Sequence, residues 1–240
     1  AVGDGVTDDT VAFTTAMAYV SSTQSKTKLY IPEGIFIVSD LRIPTGVILS
    51  GAAPMNGWAR LPGEYTEGSV LKLKSGTNTD VLVIENDSLN CGIENLIIDG
   101  NKDNQSSYAS NCLYIQATTG RAYGVLIRNN KFVNAKGWGV YANTVGPLEF
   151  EDNMVMSGAV FSGISDYKIR GNTFDGTDGL HPSLVMHRAR NGSLSNNIIY
   201  GWGEDGTTTK TLQTVDVTIN TTTDVLTVTD ISWLYEGAPI

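Results

Sequence analysis

Cysteine is nearly absent: Cys91 and Cys112 are the only two in 240 residues, too few for a disulfide scaffold. Charge is sparse as well. Charged residues make up 17% of the chain, against roughly 25% in an ordinary soluble domain. The 16 Lys and Arg face 25 Asp and Glu, for a net charge of −9. No Lys/Arg cluster supplies the basic footprint that nucleic-acid binding needs. No apolar run approaches the ~18 residues of a membrane span, and residues 1–10 lack the charged-then-apolar order of a signal peptide. What remains abundant is apolar residues at 41%, too many for a disordered chain, together with 26 Gly and 18 Asn. Fifteen of those Asn lie between Asn86 and Asn197, a clustering that asks first for a repeat.

The chain opens on a helix. Thr7, Asp8 or Asp9 is placed to cap it, and the acidic pair suits the positive end of the helix dipole. Phe13, Ala16, Met17 and Val20 follow helical spacing and form one narrow apolar stripe. The run from Ser21 to Ser25 stops it. Short strand-like runs follow, at Leu29 to Ile31, Ile35 to Val38 and Gly46 to Leu49, broken by Pro-Glu-Gly and Pro-Thr-Gly turns. A polar, aromatic loop from Ala53 to Gly68 precedes a strand at Val70 to Leu73.

From residue 90 a repeat emerges, anchored on asparagine. Val125-x-Ile127-x-x-Asn130-x-Phe132, Leu148-x-Phe150-x-x-Asn153-x-Val155 and Tyr167-x-Ile169-x-x-Asn172-x-Phe174 match throughout. Gly192-x-Leu194-x-x-Asn197-x-Ile199 lacks only the first apolar position, and Asn95 heads a looser copy. Alternation puts Val125 and Ile127 on one face that no single short strand buries. Stacking the copies at roughly 4.8 Å per layer buries that face and pairs the backbones in parallel. The expected architecture is all-β: a parallel β-helix, its open end covered by the N-terminal helix. Asn suits the recurring corner because it tolerates the left-handed backbone region and hydrogen-bonds along a stack. Cys91 and Cys112, about one coil apart, are expected to be interior neighbours, as buried thiols or a disulfide.

Beyond Thr207 the repeat fails. Val215 to Ile219 and Leu226 to Val228 read as a β-hairpin. The expected organisation is a helix with the first strands over residues 1–50, coils over 51–206, and over 207–240 a hairpin region that starts a truncated insertion or C-terminal domain. Both ends read as cut, as in a fragment or processed domain.

The opening Gly3-Asp4-Gly5-Val6-Thr7-Asp8-Asp9-Thr10, the Tyr30-Ile31-Pro32-Glu33-Gly34 and Ile43-Pro44-Thr45-Gly46-Val47 turns, and Ile93-Glu94-Asn95-Leu96-Ile97-Ile98-Asp99-Gly100-Asn101 resemble the pectate-lyase-3-like β-helix proteins, which include bacteriophage tailspike depolymerases. The resemblance covers roughly residues 1–205. It implies a right-handed parallel β-helix, often a homotrimer, that meets bacterial surface polysaccharide from a virion tail or in an extracellular setting. It does not fix the chemistry, since the group holds hydrolases, lyases and inactive binders.

Glycan hydrolysis asks for two carboxylates across the scissile bond, flanked by aromatic platforms. Six to eight residues beyond each anchoring Asn come Lys136-Gly137-Trp138, Ala159-Val160-Phe161, Asp178-Gly179-Leu180 and Gly203-Glu204-Asp205. Stacked, these predict a stripe of Trp138, Phe161, Asp178, Glu204 and Asp205, with Tyr141, Trp202, His181 and Asp175 nearby. Turn chemistry alone also places Asp-Gly at such corners. Thr177-Asp178-Gly179-Leu180 looks like the Asn-Thr-Asp-Gly segment of polygalacturonase-type hydrolases, although Gly176 replaces its first Asn and that family's other segments are missing. The resemblance implies a catalytic Asp178; the stacked stripe then offers it, as general acid, Asp175, Glu204 or Asp205 as partner, with His181 either assisting proton transfer or simply a surface residue.

A second set faces outward before each Asn. Arg128, Glu151 and Arg170 form an alternating-charge ladder, with Glu149 and Lys168 beside it. This is either a set of cross-strand ion pairs or a setting in which two cations hold Glu151 ionised as a nucleophile. His187, Arg188 and Arg190 are candidates to contact an anionic sugar, although net charge weighs toward neutral glycans. No metal or cofactor is expected; Asp99 and Asp103 do not match a calcium loop. The expected activity is endo-hydrolysis of capsular or lipopolysaccharide glycan. The rivals are β-elimination by a polysaccharide lyase, and a non-catalytic glycan-binding or structural β-helix.

Overall fold

A computed structural model describes residues 1–23, 27–52, 68–116, 120–176 and 181–202, together with the strands Thr209–Leu212, Val217–Asn220 and Val225–Val228. The chain winds into a right-handed parallel β-helix with three sheets. Each full coil crosses sheet C, then B, then A; one coil runs through Val140–Asn143, Leu148–Glu151 and Met154–Val155. Stacked coils give sheet A from Asp4–Asp8 through Gly34–Val38, Ile97–Asp99 and Thr173–Asp175 to Ile198–Trp202. They give sheet B from Lys28–Ile31 through Gly92–Glu94 and Leu148–Glu151 to Ser193–Ser195, and sheet C from Leu41–Arg42 to Leu184–His187. Parallel pairing holds throughout these sheets until Thr209–Leu212 and the Val217–Asn220/Val225–Val228 hairpin, which join antiparallel. No helix among the described residues is long and apolar enough to cross a membrane.

The interior is filled by the alternate residues that the sequence pattern selected. Phe132, Phe150 and Phe174 stack with centroids 6.3 and 6.0 Å apart. Phe161 meets Phe150 edge-on at 5.2 Å. The helix Thr10–Ser22 closes one end by burying Phe13, Met17 and Val20, with Phe13 edge-on to Phe36. Its cap differs from a simple Ser/Asp N-cap. Asp9 holds the cap position but turns its carboxylate back to accept from Val2 N and Gly3 N, and Asp8 accepts from Thr10 N. The preceding motif forms the edge strand Asp4–Asp8. The Ala53–Gly68 loop lies outside the described residues except for Gly68.

The turn from sheet B to sheet A is two residues long in five successive coils: 95–96, 129–130, 152–153, 171–172 and 196–197. Asn130, Asn153, Asn172 and Asn197 stand in a buried column. Asn153 accepts from Asn130 N (3.0 Å) and Nδ2 (3.1 Å), and donates to Ile127 O (2.9 Å) and Asn172 Oδ1 (3.1 Å). Asn172 repeats this pattern with Asn197 and Phe150 O. The left-handed residue, however, is the one before: Asn95, Asn129, Asp152, Gly171 and Asn196 all have positive φ. The two demands on the corner, a left-handed turn and a ladder of amides, fall on separate positions. Asn95 therefore aligns with Asn129, to which it is hydrogen-bonded, and Leu96 fills the first ladder position.

Cys91 and Cys112 are free, buried thiols but not interior neighbours. Cys91 precedes a strand of sheet B and Cys112 one of sheet C, because the longer coil between them shifts their register. Burial raises both thiol pKa values, Cys91 to about 12.

Candidate functional site on sheet C and its corner with sheet A

The turn from sheet A to sheet C varies, unlike the Asn corner. It spans residues 100–112, 134–139, 156–158 and 176–183 in successive coils. The shortest of these brings two predicted residues together. Trp138 and His181 lie two coils apart, yet their rings stack with centroids 4.2 Å apart at 23°. Gly158 lies in the coil between. A Cβ there would stand 2.4 Å from Pro182 O and 3.2 Å from both His181 Cβ and Trp138 Cζ3, and φ is +69°. Only glycine leaves the gap through which the rings meet. Trp138 N donates to Asn111 Oδ1 (2.8 Å), and Asn111 donates N and Nδ2 to Asp80 Oδ1 (2.8 Å each). Burial raises the Asp80 pKa, against the lowering effect of those Asn111 bonds. His181 Nε2 is buried and has no hydrogen-bond partner among the described residues.

The outer face of sheet C continues from this corner. Register places Tyr114, Tyr141, Val160 and Val185 in one column, and Asn143, Ser162 and His187 in the next outward column. Tyr114 and Tyr141 meet edge-on at 5.6 Å, both half-buried. Ser162 Oγ lies 3.5 Å from His187 Nδ1. Arg188 follows, exposed, with φ +53°. The face therefore carries aromatic edges beside imidazole and guanidinium groups.

Trp138, His181, Tyr141, His187 and Arg188 are thus assembled around one face and its margins; other expectations need correction. Phe161 was expected to bind substrate, but its ring is fully buried against Phe150 and Phe174. The 156–158 turn is so short that Ala159–Ser162 is already strand, which turns Phe161 inward. Asp175 lies at the end of a sheet A strand and is 1% exposed, out of reach of a surface glycan. Glu151 stands on the outer face of sheet B, not near this corner. Among the described residues it pairs with Arg170 alone, Nε at 2.9 Å and Nη2 at 3.1 Å. Arg128 turns the other way, onto Glu94. Asp178, Glu204 and Asp205 lie outside the described residues, as does the Trp202 side chain.

Glu94 escaped sequence reasoning because its partners come from three separate strands. Burial alone would raise its pKa. The bonds from Lys28 (2.6 Å), Ser50 (2.8 Å) and Arg128 (2.7 Å) outweigh that and lower it to about 2. Such a permanently ionised, saturated carboxylate serves structure better than proton transfer. Among the described residues no three His, Cys, Asp or Glu side chains group as metal ligands would.

Residues 1–240 match the family model "Rhamnogalacturonase A/epimerase, pectate lyase-like". Mannuronan C5-epimerase AlgE2 of Azotobacter vinelandii is 26% identical over 218 residues, covering 86% of this chain and 21% of that protein. The chain thus spans about a fifth of that relative's length. Among solved structures, a Parabacteroides merdae protein provisionally assigned as a glycosyl hydrolase superposes with a TM-score of 0.62. It is 18% identical, with 88% of this chain and 95% of that chain covered. The Dettilon tailspike protein gp208 superposes at 0.56 and 16% identity, over 80% of this chain and 36% of that one. At these identities the two structures establish the fold.

Proposed function

Because the chain belongs to the rhamnogalacturonase A/epimerase, pectate lyase-like family, we propose that it acts on polysaccharide laid along the outer face of sheet C. One observation carries this reading: Trp138 stacked on His181 at the root of the segment that bears Asp178, beside the Tyr114–Tyr141 pair. Aromatic rings grip the apolar faces of sugars, and the neighbouring groups orient the polymer. The reaction supported by the Thr177–Leu180 motif is endo-hydrolysis, with Asp178 as general acid and Glu204 or Asp205 as its partner across the bond. Bacterial capsule or lipopolysaccharide glycan is the substrate class, and a virion tail or extracellular setting and a homotrimer accompany it, by likeness to the tailspikes.

A second reading draws on the epimerase relative and on the exposed His187 and Arg188. Abstraction of the C5 proton of a uronate needs a base, and a cation that neutralises the carboxylate. It leads to epimerisation, or to β-elimination when a leaving group departs from C4.

One product analysis separates the two. Incubation with capsular glycans and with mannuronan should release new reducing ends with no ultraviolet-absorbing unsaturated non-reducing ends beside them, and Asp178→Asn should abolish their release. Unsaturated uronate ends, or inverted C5 centres seen by proton NMR without chain cleavage, would replace hydrolysis with the second reading. No change in any polymer would leave a glycan-binding module.

A further inference from the structure

The corner between sheets C and B carries a feature that the repeat does not require. Just beyond the outward column of Asn143, Ser162 and His187, the residues Thr144, Gly163 and Arg188 share one left-handed position. The Ala122–Val145 bridge extends that column back to Arg121, and a second column runs Tyr123, Gly146, Ser165, Arg190. Both columns read large, small, small, large. They leave a trough two coils wide, walled by Arg121 and Tyr123 on one side and by Arg188 and Arg190 on the other. The walls stand about 14 Å apart at the backbone, three strand spacings. The floor cannot fill in: a Cβ on Gly146 would lie 2.1 Å from Ser165 O.

Arginine occupies this trough unusually. Arg121 reaches over Gly146 to donate to Ser165 Oγ, and Ser165 is the register partner of Arg190. Two guanidinium-bearing residues therefore converge within one coil spacing, with Arg188 and His187 beside them. Elsewhere Lys28, Arg42, Lys72, Lys74, Arg128, Lys168 and Arg170 each face a carboxylate. Among the described residues Arg121, Arg188 and Arg190 form no ion pair. Two acids border the trough: Asp166 accepts from Ser165 Oγ at 3.0 Å, and the Asp87 carboxylate lies against Gly120, the residue before Arg121. In a chain of net charge −9, three guanidinium groups without a direct ion-pair partner among the described residues, gathered over a floor of small residues, suit an incoming oxyanion, which they bind with paired N–H donors.

We propose that this trough is a second binding site, in which Arg121, Arg188 and Arg190 take the oxyanion of an acidic polysaccharide, a carboxylate or a sulfate ester. The inference rests on glycan being the partner and adds that the glycan is acidic. Binding there does not depend on which bond is broken.

Gel affinity electrophoresis of the full chain in polygalacturonate, dextran sulfate and dextran tests it. Polygalacturonate or dextran sulfate should retard the protein well beyond dextran, and the stronger of the two identifies the oxyanion. The R121A/R190A double variant should weaken that binding at least ten-fold. R121K/R190K, which keeps charge without the paired donors, should fall between. Lys168→Ala, on sheet B, should bind as the parent does. Unchanged retardation of the double variant, with its circular dichroism retained, would overturn the site, as would equal retardation by dextran. Dextran retardation that Tyr141→Ala abolishes would at the same time uphold the sheet C reading. Retardation by none of the three polymers would sink that reading along with the site.

Discussion

Two corners of the same coil obey opposite rules. The turn from sheet B to sheet A has two residues in every one of five coils and is stitched by Asn130, Asn153, Asn172 and Asn197. The turn from sheet A to sheet C ranges from two residues at 39–40 and three at 156–158 to thirteen at 100–112, and it carries Trp138 and His181. Where the amide ladder runs, each coil must match its neighbours for burial and hydrogen bonding and the turn keeps one length; the earlier B-to-A connection between Gly51 and Ser69, outside the ladder, is longer. Where the turn faces outward, length is free, and side chains from distant coils are brought into contact. Stability sits on the first corner, and the proposed function puts recognition on the second.

That division breaks first in the interior. Phe161→Ala, which opens a cavity between Phe150 and Phe174, should cost about 3–5 kcal/mol in urea denaturation. A loss confined to activity would return Phe161 to the glycan. Asn153→Ala removes the acceptor for two buried donors of Asn130 and the donor to Ile127 O. At about 1–3 kcal/mol for each strand-end group left unsatisfied, the variant should lose about 3 kcal/mol by the same measurement.

The Asn ladder was legible in sequence because a fixed turn length keeps spacing from Asn to strand constant in each copy. The A–C corner was not, because its alignment assumed the same constancy. A three-residue turn before Ala159 shifted the coil and moved Phe161 from rim to core, while Trp138 kept a half-buried place at the corner. The pairing of Trp138 with His181 rests on the absent Cβ of Gly158, which no periodicity reports. Glu94 was hidden for a related reason: Lys28, Ser50 and Arg128 meet it only through register across three strands.

Glu94 sharpens the comparison from the side of sheet B. Its folded pKa of about 2 lies below the ordinary 4.5, so its contribution is complete above pH 4.5 and is lost as pH falls toward 2. Glu94→Gln should therefore destabilise by about 2 kcal/mol at pH 7, the scale of hydrogen bonds to a charged group. The gap from the parent should close across that acid window in a series of thermal melts. A gap that persists at pH 2 would mean that packing, not charge, holds the site.

The smallest effect on stability belongs to the recognition corner. Trp138→Ala should shift the unfolding free energy by about 1 kcal/mol, since its half-exposed ring leaves no sealed cavity. It should lower glycan turnover or binding at least ten-fold, read as polymer degradation or as electrophoretic retardation. A large stability loss with unchanged glycan handling would merge the two corners into one structural role.

Amide hydrogen exchange with and without an acidic oligosaccharide tests most directly whether recognition sits on sheet C and its margins. Protection should gather in peptides spanning 138–146 and 181–190 and leave the 129–130 and 152–153 turns unchanged. Protection centred on the Glu149–Lys168 and Glu151–Arg170 ladder of sheet B, with none over Tyr141 or His187, would contradict it.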